Sequence, residues 1–280
     1  MNKIIVFQTD FGLDDGAISA MEGVSYCVSK DINIRHLTHN IPQYNIFDAS
    51  YRLFQAINYW PEYTTFVSVV DPGVGTERKS VVAKTKTNQY IVTPNNGTLT
   101  HIEKFVGIEE VREINESINR VKNSELSYTF HGRDVYAYTG ARIASDTISF
   151  EEVGPLLDND KIVKLELFGS KIIENGIMGQ IDILDVRFGS LWTSIPYEEF
   201  KKVGFLFGED IQVDIYRDSD LVYSNKINYG KSFADVPVST PVIYMNSAYH
   251  IAVAINQGSF AKAYGIGVGD TWKITMKKII

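Results

Sequence analysis

Hydrophobic and polar positions repeat with two different periods in the first half of the chain. Ile4-Ile5-Val6-Phe7 predicts a short apolar strand, and small and apolar residues recur at helical intervals after Asp14. Further strands are predicted at residues 33–37, 65–70, 80–84 and 90–92, with a helix over residues 46–59. Because strands alternate with helices, the pattern favours a layered α/β fold.

After about Gly154 the pattern changes to short β-type runs separated by turns. The predicted strands are residues 176–183, 190–195, 211–216, 221–226, 242–245, 251–255 and 271–276. Several of these runs alternate polar and apolar residues, which is typical of a small antiparallel barrel or sandwich. We therefore predict an N-terminal α/β domain over residues 1–156, a linker over 157–170 and a smaller C-terminal β domain over 171–280.

Composition and charge exclude several classes of function. The 280 residues carry a net charge of −7 with acids and bases mixed along the chain, which argues against nucleic acid as a partner. No window approaches the roughly 18 apolar residues of a membrane span, and no secretion signal is recognised, so we expect no membrane partner and a cytoplasmic location. The single cysteine, Cys27, lies in an apolar stretch that predicts a buried side chain.

Three loop segments place charged groups directly after or between predicted elements, where a rigid scaffold can aim them at a ligand. They are Thr9-Asp10-Phe11-Gly12, residues 71–78, and Phe130-His131-Gly132-Arg133-Asp134. In the middle segment Asp71 follows a predicted strand, a proline and two glycines make a tight turn, and Arg78 returns at the far end. An ordinary turn with a surface salt bridge is the competing interpretation.

Other chemistries are less well supported by the residues. Gly73-Val74-Gly75 resembles the start of a dinucleotide fingerprint, but no third glycine or Walker lysine follows. His36 and His39 could suggest a metal site, although core or hydrogen-bonding histidines are the commoner interpretation without a cysteine or carboxylate cluster nearby. We therefore expect no metal.

Several motifs together resemble one enzyme family, the S-adenosyl-L-methionine (SAM) hydroxide adenosyltransferases, which are related to the bacterial fluorinase and chlorinase. The motifs span nearly the whole chain: Thr9-Asp10-Phe11-Gly12, Thr38-His39-Asn40-Ile41-Pro42, Asp71-Pro72-Gly73-Val74-Gly75-Thr76, Pro94-Asn95-Asn96-Gly97-Thr98-Leu99-Thr100, His131-Gly132-Arg133-Asp134, Asn246-Ser247 and Asn256-Gln257-Gly258-Ser259. The resemblance implies an α/β domain with a mainly parallel sheet, a C-terminal antiparallel β-barrel, and a homotrimer with substrate between neighbouring subunits. It also implies hydrolysis of SAM to adenosine and L-methionine, with SAM as substrate and no cofactor.

The resemblance assigns roles to residues of the first domain. Asp71, Arg78 and His131 match the catalytic set of the hydroxide-using members, whereas fluorinases have an aromatic residue in place of that aspartate. Asp10 matches the carboxylate that grips the ribose hydroxyls, and Tyr44 falls where fluorinases have a tryptophan near the substrate. Halogenation is therefore the weaker alternative.

In the second domain the resemblance assigns substrate binding to Asp185, Phe188, Ser190, Trp192 and Ser247. Ser190 and Ser194 replace asparagines usual in the family, and Ala248 replaces an arginine of the halogenases. These departures leave open a non-catalytic protein that binds SAM or adenosine, or a structural trimer with a vestigial pocket. Core packing is the competing interpretation for Phe188 and Trp192.

Overall fold

A six-stranded sheet organises the first part of the chain in the computed structural model, which describes residues 3–279. Its strands are β1 (Ile4–Thr9), β2 (Asn33–Thr38), β3 (Thr65–Val69), β4 (Ser80–Thr85), β5 (Tyr90–Pro94) and β6 (Ile108–Glu113). The order is β2-β1-β3-β5-β4-β6, with β2, β1, β3 and β5 parallel and β4 antiparallel to both neighbours. The predicted α/β fold with a mainly parallel sheet is confirmed.

Helices cover both faces of this sheet. They are α1 (Ala17–Val28), α2 (Ile46–Ile57), α3 (Thr100–Phe105) and α4 (Tyr138–Ala144), the last continuing from a π-helical turn at Gly132–Ala137. Helices α1 and α4 bury the face of the sheet that carries Ile5 and Val67. Gly140 permits the close approach of α4, because an added Cβ would lie 2.5 Å from Val67 Cγ2. On the other face, the Gln8 amide donates to the α2 carbonyl of Ala49 (2.8 Å).

One expectation about α1 is wrong. Cys27 is exposed, although the apolar stretch around it predicted a buried side chain. The helix buries Ile18, Met21 and Ser25, and position 27 falls outside that stripe.

The second part of the chain forms a closed seven-stranded barrel, which confirms the predicted C-terminal barrel. Its strands are β8 (Gly176–Leu184), β9 (Leu191–Pro196), β10 (Asp210–Arg217), β11 (Asp220–Tyr229), β12 (Pro241–Met245), β13 (His250–Ile255) and β14 (Trp272–Lys278), while β7 (Lys171–Ile173) forms a hairpin with β8. Pairing of β14 with β8 closes the barrel. The pairing of β11 with β12 is parallel and the others are antiparallel. Two short helices, α5 (Tyr197–Val203) and α6 (Phe260–Tyr264), flank the strands.

The chain divides into two compact units between Leu165 and Glu166. Residues just before this point are tied to the first unit, because the Asn95 amide donates to the Lys161 carbonyl (2.8 Å) and accepts from the Val163 amide (2.9 Å). Within residues 3–279, no helix combines the length and apolar character needed to cross a bilayer.

Candidate active site

The carboxyl ends of two neighbouring parallel strands bring Asp10 and Asp71 to the same edge of the first sheet. Thr9 of β1 pairs with Val69 of β3, so the residues that follow each strand emerge side by side. Ligands bind at this edge of α/β sheets because the loops there converge. Asp10 also accepts a hydrogen bond from the backbone amide of Tyr44 (2.9 Å), which fixes the carboxylate relative to the loop before α2.

The turn after Asp71 folds Arg78 back onto it. The Val74 amide donates to the Asp71 carbonyl (3.2 Å), and Gly75 adopts a left-handed conformation (φ 78°) that disfavours other residues. Arg78 Nε and Nη2 then donate to the two carboxylate oxygens of Asp71 at 2.9 and 2.5 Å. The side chains are only 11% and 6% exposed, so the interpretation of Arg78 and Asp71 as a surface salt bridge is wrong.

Arg78 makes two more hydrogen bonds, to Ser80 Oγ through Nη1 and to His131 Nδ1 through Nη2, both 2.9 Å. Burial alone would lower the pKa of Arg78, but the hydrogen bond to Asp71 and the nearby negative charges raise it. The guanidinium is therefore a permanent cation that is held in one orientation by three side chains.

His131 is buried at the start of the π-helical turn. Burial lowers the pKa of its imidazole, and the charges of Arg78 and Arg120 lower it further against an opposing effect of Glu116. Both ring nitrogens face arginine donors: Nδ1 lies 2.9 Å from Arg78 Nη2, and Nε2 lies 3.5 Å from Arg120 Nη1. Because arginine can only donate, the neutral ring accepts from Arg78 through Nδ1. The structure thus brings together Asp71, Arg78 and His131, the three residues assigned to catalysis from the sequence.

A second layer of polar groups was missed from the sequence. Tyr136 Oη donates to Asp71 Oδ2 (3.4 Å) and lies 3.3 Å from Ser80 Oγ, which donates to Glu116 Oε1 (2.9 Å). Burial raises the pKa of Tyr136 well above its ordinary value, and the negative charge of Asp71 raises it further. The position of Ser80 two residues after Arg78 was a usable signal, whereas Tyr136 lies in an apolar helical run that indicates core packing.

A cavity of about 770 Å³ lies against this edge of the sheet. Asp10, Tyr44 and Asp71 line it together with Phe11, Phe130 and Arg133, among others. Tyr44 is 69% exposed and has a left-handed backbone (φ 66°), an uncommon conformation for a tyrosine. The combination of carboxylates with aromatic side chains suits a ligand with hydroxyl groups and a flat ring.

Arg78 lines a different cavity of about 500 Å³, and Ser80 and Glu116 line it as well. We call this the rear cavity and the one lined by Asp71 the front cavity. The Asp71–Arg78 pair therefore connects the front cavity to the rear cavity.

The second unit carries its own cavity of about 660 Å³, lined by Phe188 and Ser190 among others. Phe188 is 70% exposed, so core packing does not explain this side chain. Asp185 shapes the turn, since its Oδ1 accepts from the amides of Arg187 (3.1 Å) and Phe188 (3.2 Å).

Trp192, in contrast, is buried in β9, in agreement with the core-packing alternative. Burial raises the pKa of nearby Tyr244, and the neighbouring polar groups of Ser190 and Trp192 act in the opposite direction. Ser247 lies in the turn between β12 and β13. Of the five residues assigned to substrate binding in this unit, the structure places Phe188 and Ser190 on the cavity and leaves Asp185, Trp192 and Ser247 off its described lining.

His36 and His39 form part of a hydrogen-bonded chain. His36 Nε2 lies 3.1 Å from Glu22 Oε1, His36 Nδ1 lies 2.8 Å from His39 Nε2, and His39 Nδ1 lies 2.9 Å from Thr9 Oγ1. Burial, followed by the charge of His36, lowers the pKa of His39 to about 4. In the part of the chain that the structure describes, no group of three or more His, Cys, Asp or Glu side chains could hold a metal ion.

Comparison with known proteins matches both units to one family. A model of the SAM hydroxide adenosyltransferase N-terminal domain matches residues 5–154, and a model of the C-terminal domain of the same family matches residues 179–273. An (R)-S-adenosyl-L-methionine hydrolase from Methanocaldococcus jannaschii is 35% identical over 235 residues, which cover 82% of this chain and 80% of that protein. A fluorinase from an Actinoplanes species is 26% identical over 298 residues and is matched over 98% of each chain.

Solved structures share the fold of this chain. A conserved protein from Thermotoga maritima superposes with a TM-score of 0.89 at 31% identity, covering 98% of this chain and 100% of that one. A conserved protein from Thermus thermophilus has a TM-score of 0.72 at 25% identity, covering 97% and 98% of the two chains.

Proposed function

Since the chain belongs to the SAM hydroxide adenosyltransferase family, we propose that it hydrolyses SAM to adenosine and L-methionine. The observation that carries this proposal is the buried, bidentate Asp71–Arg78 pair with His131 against it, at the edge of a cavity that also presents Asp10. A relative that is 35% identical is named for hydrolysis of the (R) sulfonium epimer, which supports the same chemistry here.

The reaction needs an activated nucleophile more than an activated leaving group. The sulfonium of SAM already makes methionine a neutral thioether leaving group, whereas neutral water attacks carbon slowly. In the proposed step the water oxygen forms a bond to the ribose C5′, the C5′–S bond breaks with its electron pair going to sulfur, and one water proton is removed. Adenosine, L-methionine and one proton result.

The three side chains divide this work. Asp71 faces the front cavity and accepts the water proton, a task that suits a carboxylate with a free lone pair beside its two bonds to Arg78. Arg78 supplies the fixed positive charge that favours hydroxide over water. His131 holds Arg78 Nη2 through Nδ1 and so fixes the direction from which the water attacks.

Substrate binding is assigned to both units. Asp10 takes the two ribose hydroxyls, and Tyr44 provides a flat wall beside them. The adenine and methionine parts of SAM are proposed to be held by five residues of the second unit, Phe188 and Ser190 on its cavity together with Asp185, Trp192 and Ser247. The replacement of two family asparagines by Ser190 and Ser194 alters this half of the site.

Incubation of the purified protein with each sulfonium epimer of SAM in ¹⁸O-labelled water tests the activity directly. We expect adenosine with ¹⁸O on its 5′ carbon, together with an equal amount of L-methionine. Calorimetric binding of SAM without either product would instead identify a non-catalytic SAM-binding protein. A 5′-halogenated nucleoside as the main product would identify a halogenase.

We further propose a cytoplasmic homotrimer in which each substrate contacts the first unit of one subunit and the second unit of the next. The separate cavities beside Asp71 and Phe188 and the single cysteine of the chain support this proposal. Sedimentation gives the subunit number. Mixing two inactive variants, Asp71→Asn and Phe188→Asp, should restore part of the activity if sites are shared between subunits, and no recovery would contradict sharing.

A further inference from the structure

The reaction proposed above releases one proton inside a largely buried site. The Asp71 side chain is 6% exposed and is clamped by Arg78, and bound substrate would cover the front cavity that it faces. A proton accepted by Asp71 therefore needs a way out that does not pass the substrate.

A continuous chain of hydrogen-bonding groups leads from Asp71 to the rear cavity. Tyr136 Oη lies 3.4 Å from Asp71 Oδ2 and 3.3 Å from Ser80 Oγ, and Ser80 Oγ lies 2.9 Å from Glu116 Oε1. Tyr136 and Ser80 are buried, whereas the Glu116 side chain is 34% exposed and lines the rear cavity. The chain thus begins at Asp71, the proposed base, and ends at the partly exposed carboxylate of Glu116.

The chemistry of the intermediate groups suits proton transfer. A hydroxyl donates one hydrogen and accepts at two lone pairs, so it can take a proton on one side and release its own on the other. Ser80 accepts from Arg78 Nη1, and its own single hydrogen has two acceptors within reach, Glu116 Oε1 and the more distant Tyr136 Oη. Burial and Asp71 disfavour the phenolate form of Tyr136, so the phenol passes a proton without becoming charged.

We propose that Tyr136 and Ser80 form a proton relay from Asp71 to Glu116, and that Glu116 releases the proton into the rear cavity. In the structure Tyr136 donates to Asp71, so once Asp71 is protonated the phenolic hydrogen first turns toward Ser80 Oγ while the serine hydrogen is directed at Glu116. The Asp71 hydrogen then moves to Tyr136 Oη, the phenolic hydrogen moves to Ser80 Oγ, and the serine hydrogen moves to Glu116. Three protons shift by one position each, Asp71 is again a carboxylate, and both hydroxyls end neutral. Glu116 then loses the proton to water.

The competing explanation is a static network in which Glu116 only orients Ser80 and Arg120. Glu116 Oε2 accepts from Arg120 Nη1 (3.0 Å), so removing the carboxylate disturbs an ion pair as well. A slower variant is therefore insufficient as a test, and the readout must follow the proton itself.

Glu116→Gln is the central variant because an amide still accepts from Ser80 but cannot take up a proton. Glu113→Gln is the matched control, since Glu113 lines the same rear cavity and pairs with Lys79. In dilute buffer we expect Glu116→Gln to lower kcat at least about tenfold with KM for SAM unchanged, and Glu113→Gln to stay within about twofold.

Imidazole or formate, which are small enough for a cavity of about 500 Å³, should restore kcat of Glu116→Gln in a concentration-dependent way. Tyr136→Phe should lower kcat in dilute buffer, and combining it with Glu116→Gln should cost no more than the slower single variant, because both interrupt one path. A Glu116→Gln variant of normal rate, or a loss that small buffers do not reverse, overturns the relay.

The relay rests on the proposed hydrolysis, and the two can fail separately. A wild-type protein that forms no adenosine overturns both. Normal wild-type turnover with the unfavourable outcomes for Glu116→Gln overturns the relay alone.

Discussion

Replacing Arg78 by lysine tests the catalytic centre because it keeps the charge and removes the planar fork. Arg78 bonds both oxygens of Asp71, Ser80 Oγ and His131 Nδ1 at the same time. A lysine ammonium has a single nitrogen with three donors and a different reach, so it cannot bridge all four acceptors.

The expected loss follows from the number of bonds. If lysine forgoes two charge-assisted hydrogen bonds that hold the transition-state geometry, at about 1.5–3 kcal/mol each, the barrier rises by about 3–6 kcal/mol. Since about 1.4 kcal/mol corresponds to a factor of ten in rate, we expect kcat to fall at least about a hundredfold. The KM for SAM should change far less, because Asp10 and the second unit carry binding in our proposal.

Stability needs its own control because the Asp71–Arg78 pair is buried and its weakening also destabilises the fold. The Arg52–Asp48 pair in α2 is similarly shielded, with side chains 13% and 15% exposed, and it lies outside the described lining of both cavities of the first unit. Arg52→Lys should shift the melting temperature without changing kcat of the folded enzyme. Near-normal turnover in Arg78→Lys would remove Arg78 from the mechanism, and equal losses in both variants would show that stability alone is measured.

Three further outcomes are expected. Chloride and fluoride should give no 5′-halogenated adenosine, because a halide has no proton to give to Asp71 and is repelled by the carboxylate charge. Liquid chromatography with mass spectrometry would detect the halogenated nucleoside, and its formation would contradict the role proposed for Asp71. Asp10→Asn should raise the KM for SAM about tenfold in steady-state assays, because an amide can still accept from the Tyr44 amide but cannot take two ribose hydroxyls equally well; an unchanged KM would remove Asp10 from ribose binding. The pKa of His39 is about 4 in the folded protein and about 6.5 in the unfolded chain, so the unfolded chain binds a proton more readily. The free energy of unfolding therefore has its full value above pH 6.5 and falls by up to about 3 kcal/mol as the pH decreases to 4. Denaturant titrations should show this pH dependence, and His39→Gln should flatten it.

The elements that carry the site were predictable because their signals are local. The apolar run that ends at Val70 and the proline-glycine turn after it are enough to predict that Asp71 lies at a strand end, and β3 does end just before it, at Val69. The closing of Arg78 onto Asp71 follows from that seven-residue turn, and the motif resemblance added His131. These inferences use spacing, which the sequence displays directly.

Apart from the position of Ser80 beside Arg78, the second layer of the site could not be predicted, because its partners are distant in sequence. Ser80 meets Glu116 across 36 residues and Tyr136 across 56. Tyr136 also lies in a segment of apolar residues, and a buried aromatic there requires no functional explanation. Likewise, the pairing of β14 with β8 that closes the barrel leaves no mark in the alternation of either strand.

The charges around the front cavity affect both the binding of SAM and the rate of its hydrolysis. Asp10, Asp15 and Asp71 line it, against the cation Arg133, so a positively charged sulfonium is attracted. The positive charge on sulfur decreases as water attacks and the C5′–S bond breaks. A carboxylate close to the sulfonium therefore stabilises the substrate more than the transition state, and this raises the barrier. Pairing with Arg78 offsets the charge of Asp71 near the reacting carbon, while Asp10 can act on the ribose hydroxyls. In the proposed mechanism the ion pair keeps a base beside the water without placing an uncompensated anion next to the sulfonium, and we therefore expect the reaction to need both members of the pair.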